Sequence, residues 1–260
     1  MDILRHLFGV EGKTVLVTGG SRGIGEAIAK GFVQAGAKVY ICSRNERDCH
    51  ALAESLKAFG ACVALPADLS NEGGRGKLVA SLAERESKLD VLVNNAGAIW
   101  AAPLAEYPES GWDKVFNLNV KGLFFLVKAL APMLEKAASA ADPARIINVG
   151  SIDAFHVPKH ETYAYSSSKA AVHQLSKHLA DQLAPRHITV NVIAPGMFPS
   201  KMMKGKLERV GEEKVLETVP LKRLVNEDDM AGAAIYLASR AASNITGAVI
   251  PVDGGTATTL

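Results

Sequence analysis

The sequence has few of the features that mark a membrane, secreted or metal-binding protein. No uninterrupted apolar run reaches the ~18 residues that span a bilayer. The N-terminal segment MDILRHLFGVEGK is broken by Arg5, His6 and Glu11, so it lacks the continuous apolar stretch of a secretory signal. A cytoplasmic protein without membrane association is expected. Only three cysteines are present, Cys42, Cys49 and Cys62, with no CxxC pair and no histidine cluster at ligand spacing. That excludes a disulfide framework and gives no metal site; buried reduced thiols are expected. No block of one charge sign exists either: 29 basic and 27 acidic residues leave a net charge of +2, mixed along the chain. Nucleic acid is therefore not an implied partner.

What is present is a repeating pattern. Apolar, β-branched runs occur at 14–18, 38–42, 62–65, 89–93, 145–149, 188–193 and 248–252, and each reads as a strand buried on both faces. Helical periodicity fills 24–35, 47–59, 112–136 and 163–183. Strand and helix in alternation predict an α/β fold of the Rossmann type, a doubly wound parallel sheet of about seven strands with helices on both faces. Linker-like composition is confined to 71–76 and 137–143. One domain over 1–260 is expected.

The first strand runs into Thr18-Gly19-Gly20-Ser21-Arg22-Gly23-Ile24-Gly25, where a helix begins. Gly19, Gly23 and Gly25 would leave backbone N–H groups at a helix N-terminus open to a phosphate, which the positive end of the helix favours. An NAD site usually has an acid at the end of the second strand, to bind the ribose hydroxyls. Here that strand ends in Cys42-Ser43-Arg44. Arg44, with Arg22 closing from the glycine turn, suits a 2′-phosphate instead and predicts NADP(H). Asp68 and Leu69 follow the third strand, and Asn94, Asn95, Ala96 and Gly97 follow the fourth, at the carboxyl edge where ligands bind in such sheets. Asp68 is placed to accept from an adenine amine or to close a turn. The Asn pair is placed to bridge strands and touch the cofactor, beside small residues that admit it closely.

Tyr165 and Lys169 lie at i and i+4 of a helix, on one face. A phenol with pKa near 10 is a poor base at neutral pH, and a neighbouring ammonium would favour its phenolate. The lysine could also hold a ribose. Ser151 ends a strand, where its hydroxyl could bond a substrate oxygen as charge develops. Asn119 interrupts an apolar helix and needs a polar partner, which a water relay toward Lys169 would supply.

Glycine turn, Asn-Asn-Ala-Gly, helix Asn, strand-end Ser and Tyr-x-x-x-Lys in this order resemble the short-chain dehydrogenase/reductase family, from about Lys13 to Gly255. The resemblance implies Tyr165 as acid/base, Ser151 as substrate-oxygen ligand, Lys169 as pKa modulator and ribose anchor, and Asn119 as relay. It places Ser21, Arg22, Ile24, Ser43, Pro195, Gly196, Phe198 and Ser200 on the cofactor, a mobile lid around 197–216, and a homotetramer. Long helices with apolar positions on more than one side agree with the last point. The segments 163–165 and 192–200 resemble the NADPH-dependent 3-oxoacyl reductase type associated with rhamnolipid synthesis, which implies an acyl-thioester or other small-molecule substrate. Related reductases hold acidic carrier protein with bases near two helix ends. Arg186 falls at one, but 137–143 at the other has no clustered base. A sugar-acid or polyol dehydrogenase of the family, and a binding protein that senses NADP without chemistry, are the alternatives.

Overall fold

The computed structural model describes residues 2–199 and 211–259. Seven parallel strands, β1 (Thr14–Thr18), β2 (Lys38–Cys42), β3 (Cys62–Ala64), β4 (Val91–Asn94), β5 (Ala144–Val149), β6 (Ile188–Pro195) and β7 (Val249–Val252), form one sheet in the order β3-β2-β1-β4-β5-β6-β7. Alternate residues of a strand point to opposite faces. In β1, Val15 and Val17 enter one core while Leu16 enters the other. Helices α2 (Gly23–Gln34) and α3 (Glu46–Leu56) cover the first face, together with α9 (Glu227–Ala238). The second face is covered by α4 (Glu72–Ala83), α6 (Leu123–Ala137) and α7 (Tyr163–Leu183). Short helices α1 (Ile3–Phe8), α5 (Glu109–Phe116), α8 (Glu212–Glu217) and α10 (Thr256–Thr259) complete the described set. The expected architecture is the one found.

Three expectations need correction. Burial on both faces holds for the five inner strands, apart from Lys38 at the start of β2, but β3 is only partly covered and β7 is half-buried throughout, because each is an edge of the sheet. The linker-like segment 71–76 is the first turn of α4. Its glycines are poor helix formers, but Asn71 caps Gly74 N at 2.8 Å and Arg75, Leu78 and Leu82 are buried. Gly74 is needed there, since a Cβ would lie 1.8 Å from the carbonyl oxygen of Asp68. The helix expected over 112–136 starts at Glu109 and carries a π-bulge at Asn117–Gly122.

Residues Glu109–Ala137 taken together are long and apolar enough to cross a membrane, with mean hydropathy 1.3 over the best window. Half of that window is buried within the protein, where Leu126, Leu130 and Leu134 pack on the sheet. It is a core helix.

In the order of the sheet, the chain reverses its winding between β1 and β4. A crevice opens there at the carboxyl ends of the strands, which is where doubly wound sheets bind ligands.

Candidate active site

A cavity of about 2150 Å³ runs along that carboxyl edge. It exceeds the ~300–1,000 Å³ of an ordinary small-molecule pocket. One end lies among the turn after β1, the end of β2 and the loop after β4; the other lies between the ends of β5 and β6.

At the first end the glycines act in different ways. Gly23 has φ +59°, and its Cβ position meets nothing within 4 Å, so the start of α2 faces open space. No side chain caps α2, whose first N–H groups are therefore available to an anion. Gly19 and Gly25 instead admit Asn95: a Cβ on Gly25 would lie 2.4 Å from the Asn95 amide nitrogen and 2.3 Å from the Gly19 oxygen. That amide donates to the carbonyls of Thr18 and Gly19, each at 3.0 Å, and the Thr18 hydroxyl accepts from the N–H groups of Asn95 and Ala96. Asn94 bridges strands as expected, donating to Asn148 at 2.9 Å; Asn148 donates on to Ser176 of α7.

Ser21, Arg22, Gly23, Ile24, Ser43 and Arg44 line this end, as do Leu69, Asn95, Ala96 and Gly97. Gly25 and Asp68 do not. Asp68 closes a turn, accepting from the Ser70 N–H and hydroxyl at 3.0 and 2.8 Å. Burial raises its pKa, but the Ser70 bonds and the Arg44 charge outweigh that and hold it below the usual carboxylate range. The open start of α2 and two guanidinium-bearing residues on one cavity fit a dinucleotide with an extra phosphate.

At the second end Ser151, Tyr165 and Lys169 meet. Ser151 caps a short turn, accepting from Asp153 N–H at 3.1 Å, and its hydroxyl also hydrogen-bonds the Tyr165 phenol. Lys169, 6% exposed, donates to the carbonyl of Val149 at 2.7 Å, with its nitrogen 5.6 Å from the centre of the Tyr165 ring. The phenol is not acidic in this arrangement. Burial pushes it up to about 12 against the opposing pull of Ser151, and burial pushes the Lys169 ammonium down to about 8. Desolvation thus outweighs the charge effect expected from helical spacing alone.

Asn119 is brought to the same place by the π-bulge. Only 2% exposed, it accepts from Ala98 N–H at 2.7 Å and donates to the Ala98 carbonyl and the Ser168 hydroxyl. Ser168 in turn donates to the Tyr165 carbonyl at 2.7 Å. The sequence reading missed Ser168, although it lies three residues after Tyr165 and shares its helix face. It also missed His173, one turn beyond Lys169, 7% exposed and stacked against Phe155 at 5.0 Å. Burial, with the charges of Lys169 and Lys177, lowers its pKa to about 4.

Pro195, Gly196 and Phe198 line the cavity; Ser200 and most of the expected lid lie outside the described residues. Gly196 lets the segment around Asp253 approach, since a Cβ would sit 2.7 Å from the Asp253 Cα. Arg186 is paired with Glu135 at 2.7 Å.

A glycine-edged helix start and a Ser-Tyr-Lys group on one crevice of a doubly wound sheet define a nucleotide-binding oxidoreductase architecture. The family model described as Enoyl-(Acyl carrier protein) reductase matches residues 19–257, and the chain belongs to the short-chain dehydrogenase/reductase family. It is 48% identical over 252 residues to the rhamnolipids biosynthesis 3-oxoacyl-[acyl-carrier-protein] reductase of Pseudomonas aeruginosa, covering 95% of this chain and 97% of that one. It is 33% identical to the 2-dehydro-3-deoxy-D-gluconate 5-dehydrogenase of Dickeya dadantii, with 97% and 98% covered. Among solved structures it is similar to the Pseudomonas aeruginosa RhlG/NADP active-site complex, with TM-score 0.94, 47% identity, and 97% and 99% of the two chains covered.

Proposed function

We propose that the chain is an NADPH-dependent reductase that converts the ketone of a 3-oxoacyl thioester into a secondary alcohol. The observation that carries the reading is the protonated Tyr165 phenol, hydrogen-bonded to Ser151 beside Lys169 in a cavity shared with the open start of α2. NADPH, when bound, supplies the hydride that adds to the carbonyl carbon. Arg22 and Arg44 hold its 2′-phosphate and the N-terminus of α2 its pyrophosphate. Asn95, Ala96 and Gly97 wall the cofactor closely, and Ser21, Ile24, Ser43, Leu69, Pro195, Gly196, Phe198 and Ser200 complete its contacts.

The hydroxyls of Ser151 and Tyr165 bind the ketone oxygen. As that oxygen gains charge, Tyr165 gives up its proton and the alcohol forms. A phenol held near 12 keeps its proton through the neutral range, which suits it to donate. Lys169 supports the resulting phenolate and holds the nicotinamide ribose. Asn119, fixed by Ala98 and Ser168, orders a water between itself and Lys169 through which the proton is replaced. A lid around 197–216 closes over the substrate, and four copies assemble through the outer face of α5 and α6.

The test is NADPH oxidation with a 3-oxoacyl thioester, repeated with NADH and with sugar acids and polyols. Turnover of the thioester, lost by about a thousandfold in Tyr165→Phe with NADPH affinity kept, supports the reading. Turnover of sugar acids alone moves the assignment to the family's sugar dehydrogenases. NADPH binding without turnover of any substrate moves it to a sensor.

A further inference from the structure

The loop between Ser151 and α7 forms one wall of the cavity mouth, and α8 forms the opposite one. The loop is pinned at both ends. Phe155 stacks on His173, while the Glu161 carboxylate accepts from the Tyr163 hydroxyl at 3.1 Å and from Leu104 N–H at 3.3 Å. Between these anchors Val157 lines the cavity and yet stands 90% exposed, as an apolar side chain would where a ligand covers it.

The charges on this rim are unbalanced. Asp153 faces His156 at 3.6 Å, and Glu161 is engaged by its two donors. Lys159 on the loop and Lys214 on α8 also line the cavity, and neither has an ion-pair partner among the described residues. Deeper in, Ile99, Ile152 and Phe198 make an apolar wall. A ligand that suits this gradient is apolar near Tyr165 and anionic at the mouth.

We infer that Lys159 and Lys214 select thioester carriers ending in phosphate, of the phosphopantetheine or coenzyme A kind, by gripping the phosphate from opposite walls of the mouth. The inference rests on the thioester reading above and specifies the substrate's distal end. The short sugar acids have no distant anion to place there. A carrier protein's acidic surface finds little purchase elsewhere, because Arg186 is already paired with Glu135.

The experiment compares one 3-oxoacyl group carried on coenzyme A and on N-acetylcysteamine, which has no phosphate. Rates are taken at low and physiological salt for the natural chain, Lys159→Ala, Lys214→Ala and the double variant. Exposed charges act weakly and are screened. The expected loss in kcat/KM on the coenzyme A thioester is therefore about threefold for each lysine and about tenfold for both at low salt, carried by KM. The ratio between the two substrates collapses in the double variant, and added salt lowers it in the natural chain. Charge reversal, Lys159→Glu with Lys214→Glu, lowers the coenzyme A rate further. An equal fall on both substrates, or no fall on either, overturns the inference while leaving the reductase reading standing. A preference seen only with a carrier-protein thioester also overturns it. Failure of the natural chain on every thioester overturns the function itself.

Discussion

Tyr165 and Lys169 were legible as a pair because four residues of helix bring them to one face, and the family resemblance attached roles to them. Their proton affinities were not legible. These depend on how much water the folded chain removes, and spacing carries no record of that. The structure makes Tyr165 a held acid and Lys169 a group that titrates near neutrality. Lys169 is charged below about 8 and loses its proton above it, so the reductive kcat/KM should fall as pH rises through that value. In Lys169→Arg the alkaline limb should move out of range, since guanidinium keeps its proton; a limb that stays near 8 would assign it to another group. His173 behaves oppositely. Its folded pKa of about 4 lies below the 6.5 of an unfolded histidine, so the unfolded chain binds the extra proton between these values. Stability is full above about 6.5 and is lost as pH falls toward 4, by up to about 3 kcal/mol from this residue. Urea midpoints measured at pH 7 and pH 4.5 should differ less in His173→Leu than in the natural chain.

Among the elements, the inner strands were read nearly to the residue because parallel strands buried on both faces leave continuous β-branched runs. Helix α4 was hidden for the opposite reason, since its first turn holds three glycines and its stability comes from tertiary contacts. Two of those glycines make a matched test. Gly74→Ala forces a Cβ against the Asp68 carbonyl and should cost about 2–3 kcal/mol. Gly76→Ala, whose Cβ position meets nothing within 4 Å, should stabilise by about 0.5–1 kcal/mol through helix propensity. Thermal or urea unfolding of the two variants checks both signs. The π-bulge at 117–122 was equally invisible, because one turn with shifted hydrogen bonds leaves the apolar periodicity almost unchanged. Asn119 could be singled out as a polar group in an apolar helix, but Ala98 and Ser168 as its partners could not, since both come from distant parts of the chain.

Across the whole molecule, the amphipathic character of α5 and α6 is divided between two surfaces. Leu126, Leu130 and Leu134 face the sheet, while Trp112, Phe124 and Phe125 remain exposed. If four copies assemble through that outer face, Phe124→Glu with Phe125→Glu should shift sedimentation toward the single chain and leave far-ultraviolet dichroism unchanged; an unaltered mass would move the interface elsewhere. The seating of Asn95 on Thr18 and Gly19 also has a bearing on synthesis. The glycine turn leaves the ribosome some seventy-five residues before the amide that locks it, and β1 must wait for β4 across that interval. Such distant closures form late in folding. A nascent chain ending before Asn95 should therefore have no grip on the dinucleotide, and protection by NADPH from protease during translation would mark the moment the two halves of the crevice join.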